Sequence, residues 1–199
     1  MAEAAVRIPK ERRQRDVSRQ ASRTAILDAA RRVAARDGAR DLSLRGVAAE
    51  AGFAPAALYG YFRNKDELLL ALAADDLTSL ARAMRGSGAG LAGAGAVALE
   101  LLRGTETMAA ASAALTGTPD SSKLNDAERL FNGRLIGALK ALSDASGLPS
   151  DSRESQCDVV LVAASLVGLA LLARSGRLKT LGFTPEEMIA RLESRFRGA

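Results

Sequence analysis

Histidine is absent from the 199 residues, so imidazole bases, Ser-His-Asp triads and His-ligated metals are excluded at the outset. Cysteine occurs once, as Cys157, which permits no internal disulfide or CxxC pair and fits a reducing compartment. Aromatic residues make up only 4%, and nowhere do β-branched residues alternate with polar ones for long enough to mark a strand. No long apolar run opens the chain: Met1 to Ser22 is charged, which excludes a secretory signal and leads to the expectation of a cytoplasmic protein. Apolar side chains nevertheless reach 48%, enough for one large domain or a small reader domain joined to a core domain. A disordered chain and a disulfide-stapled scaffold are therefore both excluded.

What is present in excess is basic charge at one end. Met1 to Lys65 holds 14 Lys+Arg against 7 Asp+Glu, and the remainder holds 14 against 16. A basic module joined to a near-neutral one is a layout for meeting a polyanion while the rest of the chain does something else. One stretch needs weighing as a membrane span, VVLVAASLVGLALLA from Val159 to Ala173. At 15 residues between Asp158 and Arg174 it falls short of the roughly 20 a bilayer needs, and a helix apolar all round is expected to be buried in protein. No membrane partner is expected.

Ala, Leu, Arg and Glu dominate, so the fold class expected is all-α. Ile26, Ala29, Ala30, Val33 and Ala34 share one face of a first helix that Gly38 stops. Ser43 is placed to cap a second helix carrying Leu44, Val47, Ala48 and Ala51 inward, which Gly52 ends. Ala54–Phe62 reads as a third, with Pro55 tolerated in its first turn. Asn64 and Glu67 make a capping-box-like start to a fourth. Gly86 to Gly95 is expected to break the chain, and helices follow at about Ala96–Leu115, Asp126–Ser143, Ser152–Ser175 and Pro185–Arg197. Gly88-Ala-Gly90-Leu-Ala-Gly93 matches GxGxxG, but no strand precedes it, so a dinucleotide site is not expected and no cofactor or metal is assigned.

Two short helices joined by a Gly-containing turn, supported by a longer one, form a helix-turn-helix, whose second member enters the DNA major groove. The segment ILDAARRVAARDGARDLSLRGVAAEAGFAPAALYGYFRNKDELLLALAADDL, Ile26 to Leu77, resembles the DNA-binding domain of TetR-family transcriptional regulators, with LYGYFRNKDEL its most specific part. The resemblance implies a basic arm over 1–22, a helix-turn-helix domain over 23–70 and a helical ligand-binding and dimerisation domain over 71–199.

Residue by residue, it implies that Leu58 and Phe62 pack under the recognition helix, and that Tyr59, Tyr61, Lys65 and the capping Ser43 touch phosphate, with plain packing the alternative for the two tyrosines. Arg45, on the outer side of the second helix, has the chemistry to read a guanine edge with two hydrogen bonds. Where the family carries a polar run ending in Gly-Thr, this chain has Ala54, Pro55, Ala56 and Ala57, which offer almost no base-edge donors. Base preference is then expected from thymine-methyl contacts, Arg45, the arm and DNA deformability. Gly46 stands where an acidic residue is common, and Gly60 lacks the aromatic often found between the two tyrosines; Gly60 is placed in the contact set with its neighbours.

Ahead of the domain, Lys10 to Arg23 is either a solvated, partly disordered tail or an arm that follows phosphates or the minor groove through Arg12, Arg13, Arg15 and Arg19. In the second domain the resemblance places a small-molecule cavity near Met84, Leu102, Met108, Phe131, Arg134 and Leu135, with ordinary core packing the alternative for the apolar members and a surface ion pair for Arg134. It places the homodimer face on the helices Ser152–Ser175 and Pro185–Arg197, with Leu161, Ser165, Leu166, Gly168, Leu169 and Leu172 of the first as its candidate contacts. The function expected is a DNA-binding regulator, a repressor released from a palindromic double-stranded operator by a small molecule. The alternative is a basic membrane- or protein-interaction module without DNA specificity. Catalysis is not expected, since no nucleophile, base or metal constellation is in view.

Overall fold

The computed structural model describes residues 10–88, 90–104 and 126–196, and among these every regular element is helical. The chain divides into two compact units that meet in sequence between Leu68 and Leu69. In the first unit, α1 (Lys10–Asp37) runs unbroken through the segment expected as an arm. From Lys10 to Asp37 the sequence has neither Gly nor Pro and is rich in Arg and Ala, so nothing in it stops a helix that the buried stripe Ile26, Ala29, Ala30, Val33 and Ala34 anchors downstream. The picture of residues 10–22 as a partly disordered tail is corrected to the first turns of α1, on which the expected arm cations Arg15 and Arg19 are exposed.

Gly38, at φ 87°, takes the left-handed conformation that ends α1 at little steric cost. α2 (Leu44–Ala51), α3 (Pro55–Leu58) and the first turn of α4 (Lys65–Gly86) complete the unit. Leu42, Val47, Leu58 and Phe62, almost wholly buried, close its core with Ile26.

The second unit is built from the rest of α4 with α5 (Gly90–Gly104), α6 (Asp126–Ser146), α7 (Arg153–Arg174), the single turn α8 (Arg177–Thr180) and α9 (Pro185–Phe196). Leu77, Leu80 and Met84 from α4 join Leu91 and Ala98 from α5, Phe131 and Leu142 from α6, Val162, Leu166 and Leu169 from α7, and Ile189 from α9.

The expected glycine break is shorter than its composition suggests. Helix α5 begins at Gly90, and Gly95 lies inside it because close packing, rather than chain reversal, uses that glycine. A Cβ there would stand 3.1 Å from Ile189 Cγ2 and 3.4 Å from Leu166 Cδ2, so its absence lets α7 and α9 approach α5.

Helix α7 is 22 residues long and apolar enough in length and composition to cross a bilayer. Its faces are nonetheless differentiated: Val159, Val162, Leu166, Leu169 and Ala170 are buried against the bundle, while Val160, Leu161, Val167 and Leu171 are each more than half exposed.

Candidate nucleic-acid interface

Ser43 opens α2 from an extended backbone, and its Oγ accepts from the Gly46 amide at 3.1 Å. At the other end Gly52 (φ 72°) turns the chain left-handed while the Phe53 amide donates back to the Ala48 carbonyl at 2.9 Å. That turn delivers Ala54, whose side chain offers the next helix no acceptor, and Pro55 starts α3 where a missing N–H costs nothing.

Helix α3 is a single turn, shorter than the expected 54–62. Beyond Leu58 the ladder tightens to three-residue bonds, Gly60 amide to Ala57 carbonyl at 3.1 Å and Tyr61 amide to Leu58 carbonyl at 2.9 Å, as Gly60 has little helical preference; the Phe62 amide still donates to the same Leu58 carbonyl at 2.9 Å. Leu58 and Phe62 are fully buried beneath it, as their apolar character requires.

The outward face carries Ala54, Pro55, Ala56, Ala57, Tyr59 and Gly60, all exposed, with Tyr59 at 55%. Ser43 and Arg45 are exposed on the neighbouring α2. Tyr61 is only half exposed: its ring meets Phe53 edge-on at 6.5 Å and lies under the Arg19 guanidinium at 5.8 Å. Arg19 also donates to the Gly60 carbonyl at 3.3 Å, so this residue, expected on phosphate, is engaged inside its own unit. Lys65, half-buried, donates through Nζ to the Arg40 carbonyl. Arg15 is exposed on α1; Arg12 and Arg13 lie in the backbone of the same helix, but their side chains fall outside the described residues.

Two exposed cations of the same unit, Arg40 and Arg63, are missing from the sequence-derived set. Their signal was available, since both flank motif residues: Arg40 shortly precedes the Ser43 cap and Arg63 precedes Asn64. Asn64 caps α4 by accepting from the Glu67 amide at 2.8 Å, and Glu67 accepts from the Arg63 amide at 2.6 Å, one residue earlier than a capping box would have it.

A second missed feature staples α2 to α1. The Glu50 carboxylate accepts from Arg32 Nε at 2.7 Å and Arg36 Nη1 at 3.1 Å, and Arg36 also pairs with Asp37 at 2.9 Å. The hydrogen bonds from Arg32 and then Arg36 hold Glu50 below the usual carboxylate range; the bond from Arg36 does the same to Asp37, and Arg36 itself is pushed upward. Partners 14 and 18 positions apart leave no local pattern by which sequence would reveal them.

The second unit separates the expected ligand set. Met84, Leu102 and Phe131 belong to or pack on its apolar cluster, whereas Arg134 and Leu135 lie outward. Gly133 to Gly137 are exposed all along, because α6 packs through two patches, Ala127 with Phe131 and Ala138 with Leu142, and the glycines between offer little to bury. The placement of Arg134 and Leu135 with the cluster residues is therefore corrected, and Met108 lies outside the described residues. An open groove of about 690 Å³ runs instead between α6 and α7, walled by Ile136, Leu139, Val160 and Leu161 together with Lys140 and Arg153.

Of the residues expected on a dimer face, Leu161 and Gly168 are exposed and Ser165 and Leu172 half-buried. Leu166 and Leu169 are corrected to core positions, at 2% and 7% exposure, because the helical period turns them onto the buried side of α7 with Val162.

Residues 26–72 match the family described as "Bacterial regulatory proteins, tetR family". Over 62 residues the chain is 47% identical to the HTH-type nicotine-responsive transcriptional repressor HdnoR of Paenarthrobacter nicotinovorans, a match spanning 31% of this chain and 32% of that repressor. In overall fold it is similar to a TetR transcriptional regulator from Rhodococcus sp. RHA1, with TM-score 0.69 and 20% identity over 90% of this chain and 97% of the other. It is also similar to the transcriptional regulator FadR from Bacillus subtilis, solved in complex with stearoyl-CoA, with TM-score 0.57 and 18% identity over 88% of this chain and 98% of that one.

Proposed function

We propose that the protein, whose residues 26–72 match the tetR family of bacterial regulatory proteins, is a sequence-specific transcriptional repressor rather than an enzyme. The observation that carries this is the exposure of Ala54 to Ala57 and Tyr59 on and around α3, in a unit that also exposes Arg40, Arg45 and Arg63. Methyl-bearing side chains at the centre suit thymine methyls in a major groove, and the cations around them suit phosphates. Tyr59 supplies a phenol O–H for a phosphate oxygen. The two-fold operator follows from a homodimer, proposed to form through the exposed side of α7, which would set two α3 helices one DNA turn, about 34 Å, or more apart. A small apolar effector acting on the second unit would release the DNA, with reciprocal coupling between the two ligands. A DNA operator as partner implies a cytoplasmic protein.

The test is selection of random duplexes by the purified protein, followed by fluorescence anisotropy of the selected and scrambled sequences across salt concentrations. A palindromic motif bound at least 1,000-fold more tightly than scrambled DNA, in line with the usual specificity ratio, is the expected result. No enriched motif, or binding indifferent to salt, overturns it.

A further inference from the structure

We propose that the N-terminal turns of α1 serve as a strut for the recognition turn, and that Arg19 is a positioning residue acting through Tyr61 rather than a phosphate contact. Arg19 and Arg23 are four residues apart and therefore on one face of α1. Their guanidinium groups lie over consecutive rings, Arg19 at 5.8 Å from the Tyr61 centroid and Arg23 at 5.1 Å from that of Phe62. The same Arg19 donates through Nη2 to the Gly60 carbonyl, beyond the last residue of α3, where the helix's own amides no longer supply donors. Tyr61 in turn meets Phe53, directly after the Gly52 turn. One line of contacts, Arg19 to Tyr61 to Phe53, thus joins α1 to both ends of the recognition helix.

That helix needs outside support. It has four residues and no side-chain cap at its start, and one turn of helix does not hold itself in water. The planar guanidinium is suited to the task because it stacks on a ring and donates in its own plane at once, which an ammonium does not. Residues 10–22 then matter to DNA binding chiefly through the rigidity of α1, and the outer cations of that helix, such as Arg15, are the ones left to meet phosphate.

The inference rests on the DNA-binding function proposed above, so its test has one arm without DNA. In full-length protein, the ring resonances of Tyr61 are recorded by NMR with those of Tyr59 as internal control. Arg19→Ala and Arg19→Lys are expected to shift Tyr61 and leave Tyr59 in place; an unmoved Tyr61 overturns the strut whatever the protein binds. In the second arm, affinity for the selected duplex is measured against salt. Arg19→Ala is expected to weaken binding about 5- to 10-fold, the scale of one exposed stack plus one hydrogen bond, with the slope of log affinity against log salt unchanged. Arg19→Lys should fail to restore it, and in a Tyr61→Leu background Arg19→Ala should cost less than about 2-fold, since the shared contact is already gone. A slope reduced by about 0.9 together with rescue by lysine marks a phosphate contact and overturns the proposal. Wild-type protein that binds no duplex overturns the DNA-binding function, while the ring shifts still decide the strut.

Discussion

Replacing Leu169 by alanine and, separately, Leu171 by arginine perturbs the two faces of α7 one at a time. Leu169 is 7% exposed and belongs to the cluster that joins α4, α5, α6, α7 and α9, so its truncation leaves a cavity that neighbours fill only in part. The expected cost is about 2–5 kcal/mol. Against a typical total of about 5–15 kcal/mol this is large, and it lowers the melting midpoint by roughly 5–15 °C. Leu171 is 60% exposed, so in an isolated protomer arginine there changes stability by no more than about 0.5 kcal/mol. In a two-fold dimer closed over this face the same substitution acts twice. Full burial of a leucine side chain is worth about 1.5–3 kcal/mol, and the exposed fraction leaves roughly 1–2 kcal/mol per copy for a partner to cover. Losing it from both copies weakens the dimer by roughly 30-fold or more, with unpaired guanidinium charge adding to the penalty. Sedimentation equilibrium beside circular dichroism melting reads both effects. The expected pattern is a folded Leu171→Arg monomer and a destabilised Leu169→Ala dimer. A Leu171→Arg protein that dimerises like wild type refutes the assignment of this face, and a Leu169→Ala protein that melts like wild type refutes the burial that orients the helix.

Tyr59→Phe should weaken selected and scrambled duplexes by the same factor, because phosphates carry no sequence; an altered base preference at constant affinity, read by anisotropy, would contradict it. Lys65→Ala should do the same and also lower the unfolding free energy by about 1 kcal/mol in urea titrations, since it removes the donor to the Arg40 carbonyl. Glu50→Gln should destabilise the first unit at pH 7 and much less at pH 3. The folded carboxylate lies below its ordinary value of 4.5, so its contribution is complete above that pH and is lost as pH falls through the lowered folded value. An equal deficit for the variant at both pH values would show that the arginine bonds contribute nothing. Gly95→Val should cost about 1–3 kcal/mol by thermal melting, because its side chain must displace Ile189 and Leu166; a more stable variant would mean that helix preference outweighs packing at that point.

Much of the first unit was legible because its signals are local. Ser43 is a cap, Gly38 and Gly52 are stops, and Asn64 with Glu67 starts a helix, each through groups within a few residues of one another. The roles of the motif residues were also legible, through the resemblance carried by LYGYFRNK, which implied that Leu58 and Phe62 lie inside and Tyr59 outside, as their burial has them. What failed was the estimate of length. Residues 10–22 joined α1 because a helix already anchored by Ile26 and Val33 propagates through good helix formers, whereas α3 stopped early at Gly60.

Composition and period by themselves determined that the described elements are helical, where several caps and stops of the first unit lie, and that one end is basic, because those properties depend on neighbours in sequence. Only the tertiary structure decided which side of a helix is inside. Apolar residues run around the whole circumference of α7, so no hydrophobic stripe distinguishes Leu169 from Leu171, and the choice falls to what packs against it: α5 approaching at Gly95 and α9 at Ile189. The same holds for Arg19 and Glu50, whose partners lie 41 residues away in one case and 14 and 18 in the other. A charge at the surface has no preferred neighbour until the backbone brings one within about 3 Å, and chain topology, not local chemistry, sets that approach.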